Sequence, residues 1–441
     1  MRVIKFGGTS VSGIESQFNI LKILQQEENQ VIVVLSAFSQ VTNRLEAITN
    51  MDRKKDQKLI TDALNEIKAT HLKMILQLDF RNTSIQDRLI QEITLHFERM
   101  ETIYLDLGDN NYLLAQGEYL STRILNQWFV DNGLDSALYD SRDFISITKD
   151  LEPDMTAIKG CFENIQFENK VNVFQGYVCN DFQGNISNLQ RGGSDYTATL
   201  IGAAIKAEEV QIWTDIDGFH NNDPRFVDTT FPIRFLSFNE AAELAYFGAK
   251  ILHPNCLQPV RKYNIPVLLK NTLAIENQGT LISEKTSERV VTAIAAKDTI
   301  HAIRIESARM LNAHGFLYQI FAVFDKFKKS IDTVTTSEVS VSLTIDNDEN
   351  IFEILAELKQ FGLVEYESNL SIVCVVGDFI TERKGVVAQI MDALTDVPLR
   401  MISYGGSENN ITFLMDTNYK QLALQSLNDY LFENSENHAR I

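Results

Sequence analysis

Lys5, Glu118, Arg191 and Asp195 are the side chains whose types and settings could do chemistry on an anionic substrate. Lys5 closes the apolar run RVIKF and is followed by Gly7, Gly8, Thr9 and Ser10. Two glycines let the backbone approach an anion closely, the hydroxyls add donors, and a lysine at that edge can reach a phosphoryl oxygen as a point charge. The same pattern taken alone also fits a tight structural turn with a solvated lysine. A second loop, SNLQRGGSDYTATL (187–200), sets Arg191, Gly192 and Gly193 ahead of a helix-forming run. Arginine offers a planar fork for carboxylate or phosphate, and the positive end of the helix points back at the loop. Asp195 is either a reacting-site carboxylate or an ordinary N-terminal cap.

Three further stretches complete the inventory. WTDIDGFHNNDPRF (213–226) leaves a strand through Thr214 and Asp215 and closes on Asp223-Pro224-Arg225. Such a strand end can hold ribose hydroxyls or a base edge while Arg225 neutralises phosphate; an acidic solvated turn is the plainer reading. Lys250 in FGAKILHP adds another cation. In AQGEYLSTRIL (115–125), Glu118 at a helix start suits the helix dipole and can equally pair with a substrate ammonium. No GxxxxGK[ST] nucleotide loop is present.

The elements that must position these groups follow from periodicity. RVIKF (2–6) and VIVVLSAF (31–38) are continuous apolar runs, as in strands buried on both faces of a parallel sheet, with Phe18, Leu21 and Leu24 at helical spacing between them. Residues 52–105 read as a helical insertion, with Leu59, Ala63, Ile67, Leu72, Ile75 and Leu76 on its apolar face. Strands resume at 170–178, 210–215 and 265–271, and 238–252 reads as a helix stopped by His253-Pro254. In such open sheets ligands bind at the carboxyl ends of the strands. The polar stretch 276–289 marks a boundary, beyond which two β/α units of ferredoxin-like pattern follow one another.

Composition narrows the function classes. The chain has 441 residues, too many for one ordinary core. Forty basic against 59 acidic side chains leave a net charge of −19. That argues against nucleic acid and anionic membrane surfaces as partners. The four scattered cysteines, with no CxxC pair, suggest reduced thiols, and the seven histidines suggest no metal cluster. We therefore expect a cytoplasmic, multidomain protein without a membrane span.

The motifs KFGGTSV, GEYLSTRIL, RGGSDYTA, WTDIDG…DPR and FGAKILHP, in this order, resemble the aspartate kinases of the amino-acid kinase family. The C-terminal repeat, with GFLYQIFAVF, TVTTSEVSVSLTID and RMISYGGSENNITFL, is similar to their tandem ACT regulatory domains, and TTSEVSVSLT looks most like the lysine-sensitive, monofunctional type. The resemblance covers essentially the whole chain. It implies an α/β amino-acid kinase fold, an open and mainly parallel sheet between helices, over residues 1–285, followed by two ferredoxin-like βαββαβ ACT domains. The first ACT domain would span 299–369 and the second 286–298 together with 370–441.

The resemblance also implies roles. The enzyme would transfer the γ-phosphoryl group of ATP, with Mg²⁺, to the β-carboxylate of L-aspartate. Lys5 would stabilise the transferring group and Asp195 organise the reactants. Arg191 would clamp the aspartate α-carboxylate and Glu118 its ammonium, with Ser36, Thr42, Gly192, Gly193 and Ser194 holding the substrate. Gly7, Gly8, Thr214, Asp215, His220, Arg225, Lys250 and Ile251 would line the nucleotide site. Met310, Gly315, Phe316, Leu317, Asp332, Ser337, Glu338 and Val339 would bind an amino-acid effector, lysine favoured; Phe316 and Leu317 also fit a plain core. Pairing of ACT sheet edges would give a homodimer, or a tetramer built from it.

Three positions depart from the family pattern. Gln40 stands where a glycine is common, His220 where a tyrosine is common, and Asn312 where a histidine is common. Competing readings are another amino-acid kinase, acting on glutamate, N-acetylglutamate, carbamate or UMP, and a catalytically inactive ACT-type sensor.

Overall fold

The computed structural model describes residues 1–189, 192–248, 251–285, 289–310, 314–378 and 383–433. Arg191, Lys250 and Asn312 therefore lie outside the described residues. The chain forms two compact units. The first comprises 1–219, 234–238 and 251–285; the second comprises 220–233, 239–250 and the chain from 286 onward.

The strands of the first unit are β1 (Arg2–Phe6), β2 (Val31–Leu35), β3 (Ser136–Tyr139), β4 (Val171–Gln175), β5 (Val178–Asn180), β6 (Ile186–Asn188), β7 (Val210–Thr214), β8 (Phe235–Ser237), β9 (Val267–Asn271) and β10 (Thr280–Ser283). Its main sheet runs β3-β4-β2-β1-β7-β9-β10-β8. All pairings from β3 across to β9 are parallel, β10 is antiparallel to β9, and β8 is parallel to β10. Every residue of β2 and β4 is buried, which is why these strands read as unbroken apolar runs. β5 and β6 form a separate hairpin.

The helical insertion is two long helices, Gln57–Gln77 and Thr83–Leu107, packed with Asn110–Asp131. Its inward stripe is Ile60, Leu64, Ile67, His71, Met74 and Ile75, which keeps the expected Ile67 and Ile75, with Ala63 and Leu72 half-buried against the same core. Leu59 and Leu76 are exposed, because long helices tolerate single outward leucines without losing the stripe. Phe18 is likewise half out, edge-on to Trp128, while Leu21 and Leu24 are core. The helix expected over 238–252 spans Phe238–Phe247 and stops at Gly248, whose φ of 147° no other residue type adopts readily.

The second unit is built on a six-stranded antiparallel sheet. Its strands are β11 (Val291–Glu306), β12 (Thr333–Thr336), β13 (Ser340–Ile345), β14 (Leu363–Gly377), β15 (Leu399–Tyr404) and β16 (Asn410–Asp416), in the order β12-β13-β11-β14-β16-β15. β11 and β14 are long and serve both ferredoxin-like halves. The register breaks between Lys297 and Ile300, where Thr299 takes φ 59°, and again between Ile300 and Ala302, where Asn369 on β14 takes φ 61°. Helices Phe316–Lys326 and Ile351–Leu358 cover one half, with Ile303, Ile320, Phe324, Leu343 and Ile354 as its core. Helices Val386–Ala393 and Lys420–Asn428 cover the other, around Val373, Val375, Ile390, Phe413 and Leu424.

Two segments expected within the catalytic part are built into this second unit. Asn221 accepts a backbone hydrogen bond from Ile294 (2.8 Å), and the Asn222 amide donates to the Leu424 carbonyl (3.0 Å). Val227 sits in the core around Phe413. Residues 239–250 are tied to the same sheet by Glu240 and Glu243, which accept from Thr292 (2.5 Å) and from Ser407 and Asn410 (2.7 and 2.6 Å).

Candidate active site

Lys5 ends up at the carboxyl edge of β1 with its ammonium nearly buried, and its Nζ meets Asp195 Oδ1 at 2.6 Å. Asp195 is in the first turn of the helix Gly193–Ile205, yet the cap position ahead of that helix is Gly192. The aspartate is thus committed to the lysine rather than to capping. Gly7, hydrogen-bonded to the Trp213 carbonyl, carries no side chain beside the lysine; a Cβ there would stand 3.4 Å from Nζ. At Gly8 a Cβ would press the Ala37 carbonyl at 3.1 Å.

Glycines shape the loop before Asp195. Gly192 takes φ 81°, and a Cβ there would lie 2.7 Å from both Cys256 Sγ and His253 Cβ. A Cβ on Gly193 would strike the Tyr177 ring at 2.3 Å, and one on Gly176 would strike Ser194 Oγ at the same distance. Tyr177 in turn donates its N–H to Thr197 Oγ1 (2.9 Å), and the Cys256 thiol faces the Gly192 carbonyl at 3.6 Å. Burial, joined by the Asp195 charge, raises the Cys256 thiol well above its usual pKa, so it stays protonated.

Glu118, on the helix Asn110–Asp131, is fully buried beside the end of β2. One oxygen accepts from the Ala37 N–H at 3.4 Å, and the other has no partner among the described residues. Burial pushes its pKa up to about 8, against the pull of the Ala37 N–H and of Lys5. Gly117 lets this helix come close, since a Cβ there would stand 3.0 Å from that of Ala37. Ser36 is buried, with its carbonyl accepting from Ser121 Oγ (2.8 Å). Thr42 lies half-buried in the helix Val41–Thr49. The turn before that helix keeps its left-handed form although no glycine is present: Gln40 itself adopts φ 65°, ψ −4°.

Thr214 and Asp215 sit at the carboxyl end of β7, where Thr214 Oγ1 donates to Asp215 Oδ1 (3.1 Å) and the Thr214 carbonyl accepts from Thr272 (2.8 Å). Ile251 is half-buried in the same unit. His220 and Arg225 belong to the second unit: His220 Nδ1 lies 3.3 Å from Thr230 Oγ1, and Arg225 forks onto Asp223 (2.9 and 2.5 Å). The structure thus gathers Lys5, Gly7, Gly8, Ser36, Thr42, Glu118, Gly192, Gly193, Ser194, Asp195, Thr214, Asp215 and Ile251 in one unit. Sequence reading missed Gly117, Gly176, Tyr177 and Cys256. Gly176, following directly on a strand, was the signal that could have revealed the last packing layer.

Among the expected effector residues, Asp332 carries the most pronounced environment. Its side chain is 2% exposed, with Oδ1 bound by Lys297 Nζ (2.8 Å) and by the Tyr246 hydroxyl (2.8 Å). Its Oδ2 is buried and has no partner among the described residues. Gly315 opens the helix Phe316–Lys326 at φ 79°. Phe316 is core, edge-on to Phe361, while Leu317 and Val339 are exposed. Ser337 faces Ser340, Glu338 is exposed, and Met310 closes a 3₁₀ turn.

Residues 1–271 match the model of the amino acid kinase family, and 373–431 match an ACT domain. The lysine-sensitive aspartokinase 3 of Escherichia coli is 31% identical, over 98% of this chain and 99% of its own length. The chloroplastic aspartokinase 3 of Arabidopsis thaliana is 32% identical, over 98% and 81%. The crystal structure of E. coli aspartokinase III with aspartate and ADP superposes with a TM-score of 0.82 at 30% identity, covering 98% of this chain and all of that one. The same enzyme with lysine and aspartate gives 0.80 at 29%, covering 98% and 99%. The chain therefore belongs to the amino acid kinase family and, within it, to the aspartokinases.

Proposed function

We propose that the protein transfers the γ-phosphoryl group of ATP to the β-carboxylate of L-aspartate, giving 4-phospho-L-aspartate, the first step towards lysine, threonine and methionine. The observation that carries this reading is the pairing of Lys5 with Asp195 beside Glu118, a buried carboxylate with one oxygen that has no partner among the described residues. The acceptor carboxylate is already ionised near neutrality, so the reaction needs no strong base. What it needs is two anions held in line and their charge offset.

Lys5 is placed to stabilise the transferring group, and Asp195 holds its ammonium in position. Glu118 takes the substrate α-ammonium, which supplies the cation that its buried oxygen lacks. Arg191 clamps the α-carboxylate, Ser36, Thr42 and Ser194 orient the substrate, and Gly192-Gly193 keep the loop close. Thr214, Asp215, His220, Arg225, Lys250 and Ile251, with Gly7 and Gly8, serve the nucleotide. The described residues hold no cluster of three or more metal-ligating side chains. That fits Mg²⁺ held chiefly by ATP phosphates with one or two carboxylates, here Asp195 and Asp215. Bound there, the ion would offset phosphate charge.

We further propose lysine as the effector, with Asp332 and Glu338 facing its ammonium, and Met310, Gly315, Phe316, Leu317, Ser337 and Val339 completing the site. In support, the E. coli relative is lysine-sensitive by name and its structure has been solved with lysine. The edge strands β12 and β15 of the regulatory sheet suit assembly into a homodimer. No helix among the described residues is long and apolar enough to cross a membrane, in keeping with action in the cytoplasm. An ATP-dependent aspartyl hydroxamate assay, repeated with lysine, threonine and methionine, tests the whole reading. Absence of hydroxamate with active ATP and aspartate would refute it, and inhibition by threonine but not lysine would reassign the effector.

A further inference from the structure

We propose that Tyr246 is the positioning residue through which occupancy of the Asp332 carboxylate reaches the nucleotide segment, with Lys297 holding the ligand-free arrangement. The proposal rests on the effector reading above and names its transmission. Tyr246 lies in the last turn of Phe238–Phe247, a helix matched to the kinase family yet built into the regulatory unit. The chain runs from it into Lys250 and Ile251, the expected nucleotide residues, within five positions.

The contacts form a closed set. Tyr246 and Lys297 both hold Asp332 Oδ1 at 2.8 Å, and the Lys297 ammonium lies 4.8 Å from the centre of the Tyr246 ring. Lys297 also reaches Asp346 Oδ2 at 3.1 Å, an alternative partner already in place. Burial and the Asp332 charge keep the Tyr246 phenol protonated, hence a donor. Two residues further on, Gly248 is pressed against β11: a Cβ there would stand 2.1 Å from the Ala296 carbonyl, directly beside Lys297. The helix end is therefore clamped to the same two residues of β11 that carry the Asp332 partner.

An effector ammonium that reaches the buried Oδ2 brings a second cation onto one carboxylate. Repulsion between the two ammonium groups drives Lys297 towards Asp346. Tyr246 then loses its cation–π partner and its share of Oδ1, and the helix end at Gly248 is released from its clamp. Because the shift follows from differential contacts, its size is bounded by the difference in effector affinity between the two states.

The test uses the full chain, L-lysine as the probe, and three measurements: lysine affinity by calorimetry, turnover without lysine, and the ratio of ATP KM with saturating lysine to that without. For Tyr246→Phe we expect lysine binding within about threefold of wild type, basal turnover within about twofold, and a KM ratio reduced by about fivefold or more. Asp332→Asn should lose at least about tenfold in lysine affinity. A wild-type KM ratio in Tyr246→Phe, alongside lost binding in Asp332→Asn, overturns the relay and leaves the effector site standing. Undiminished lysine binding in Asp332→Asn, or a wild-type ATP KM insensitive to lysine, overturns both. Should Tyr246→Phe fail to fold, Lys297→Gln carries the same question: lysine should bind more tightly and the KM ratio should fall, and no change in either overturns the relay.

Discussion

Glu118 in the catalytic unit and Asp332 in the regulatory unit are the same device in two electrostatic settings. Both are buried carboxylates with one oxygen lacking a partner among the described residues. Among the described residues Glu118 has the Ala37 N–H and the weaker pull of Lys5, whose ammonium is engaged by Asp195, so burial raises its pKa to about 8 and it waits largely neutral at pH 7. Asp332 has its own cation, Lys297, at 2.8 Å, and a phenol donor besides. On the proposed roles, a substrate ammonium would create the charge at Glu118, whereas an effector ammonium would have to displace one at Asp332. The first arrangement favours tight coupling of binding to protonation; the second favours a switch.

Lys5→Ala should have the largest effect on this contrast. It removes the phosphoryl-stabilising cation and leaves Asp195 unpaired, and turnover should fall by roughly 10²–10³-fold while lysine is still bound. Near-wild-type turnover in a steady-state assay would break the catalytic half of the comparison. Glu118→Gln should raise the aspartate KM by roughly tenfold or more with a smaller change in kcat, since a charged hydrogen-bond partner is lost.

The pH behaviour sharpens the same point. The folded-state pKa of Glu118 is raised from 4.5 to about 8, so the protonated form is favoured by folding. Its contribution to ligand-free stability is full below about 4.5 and is lost as pH rises through about 8. Thermal melts should show Glu118→Gln more stable than wild type at about pH 8 and little different at about pH 5. The wild-type aspartate KM should fall as pH rises from about 7 to 8.5, and that trend should vanish in the variant.

Two smaller effects test the remaining terms. Lys297→Gln strips Asp332 of its cation and should cost about 2–3 kcal/mol in urea unfolding, because a buried charge loses its partner. A cost near zero would mean that Tyr246 and Asp346 suffice, and the two carboxylates would then be more alike than argued. Gln40→Gly, next to the substrate loop, should stabilise by about 1 kcal/mol by relieving a left-handed residue, measured by the urea midpoint. A destabilisation there would show that the Asn43 amide's bond to the Gln40 side chain (3.1 Å) outweighs the backbone strain.

Much of the architecture was legible because it is local. Apolar runs with turn residues at their ends identify β1, β2, β4, β7 and β9, since strands buried on both faces leave no polar alternation. The repeated strand–helix pattern beyond residue 290 identifies the regulatory halves for the same reason. Within 57–77 periodicity identifies Ile67 and Ile75 as inward but places the exposed Leu59 and Leu76 there too, because several leucines compete for the stripe and periodicity alone does not choose among them.

Residue types and order made a lysine, a glycine turn with an aspartate, and a glutamate expected at a helix start candidates for one site, and the resemblance joined them; the glutamate lies well inside the helix Asn110–Asp131. Residue types and order also determined that two ferredoxin-like units would follow. Only the tertiary structure decided that Asp195 pairs with Lys5 rather than capping its helix, and that Glu118 has no ion-pair partner among the described residues. It alone moved 220–233 and 239–250 into the regulatory unit and brought Tyr246 onto Asp332. These outcomes rest on contacts between residues far apart in the chain, on burial, and on which cation reaches which carboxylate first. None of those quantities is a property of a local window of sequence.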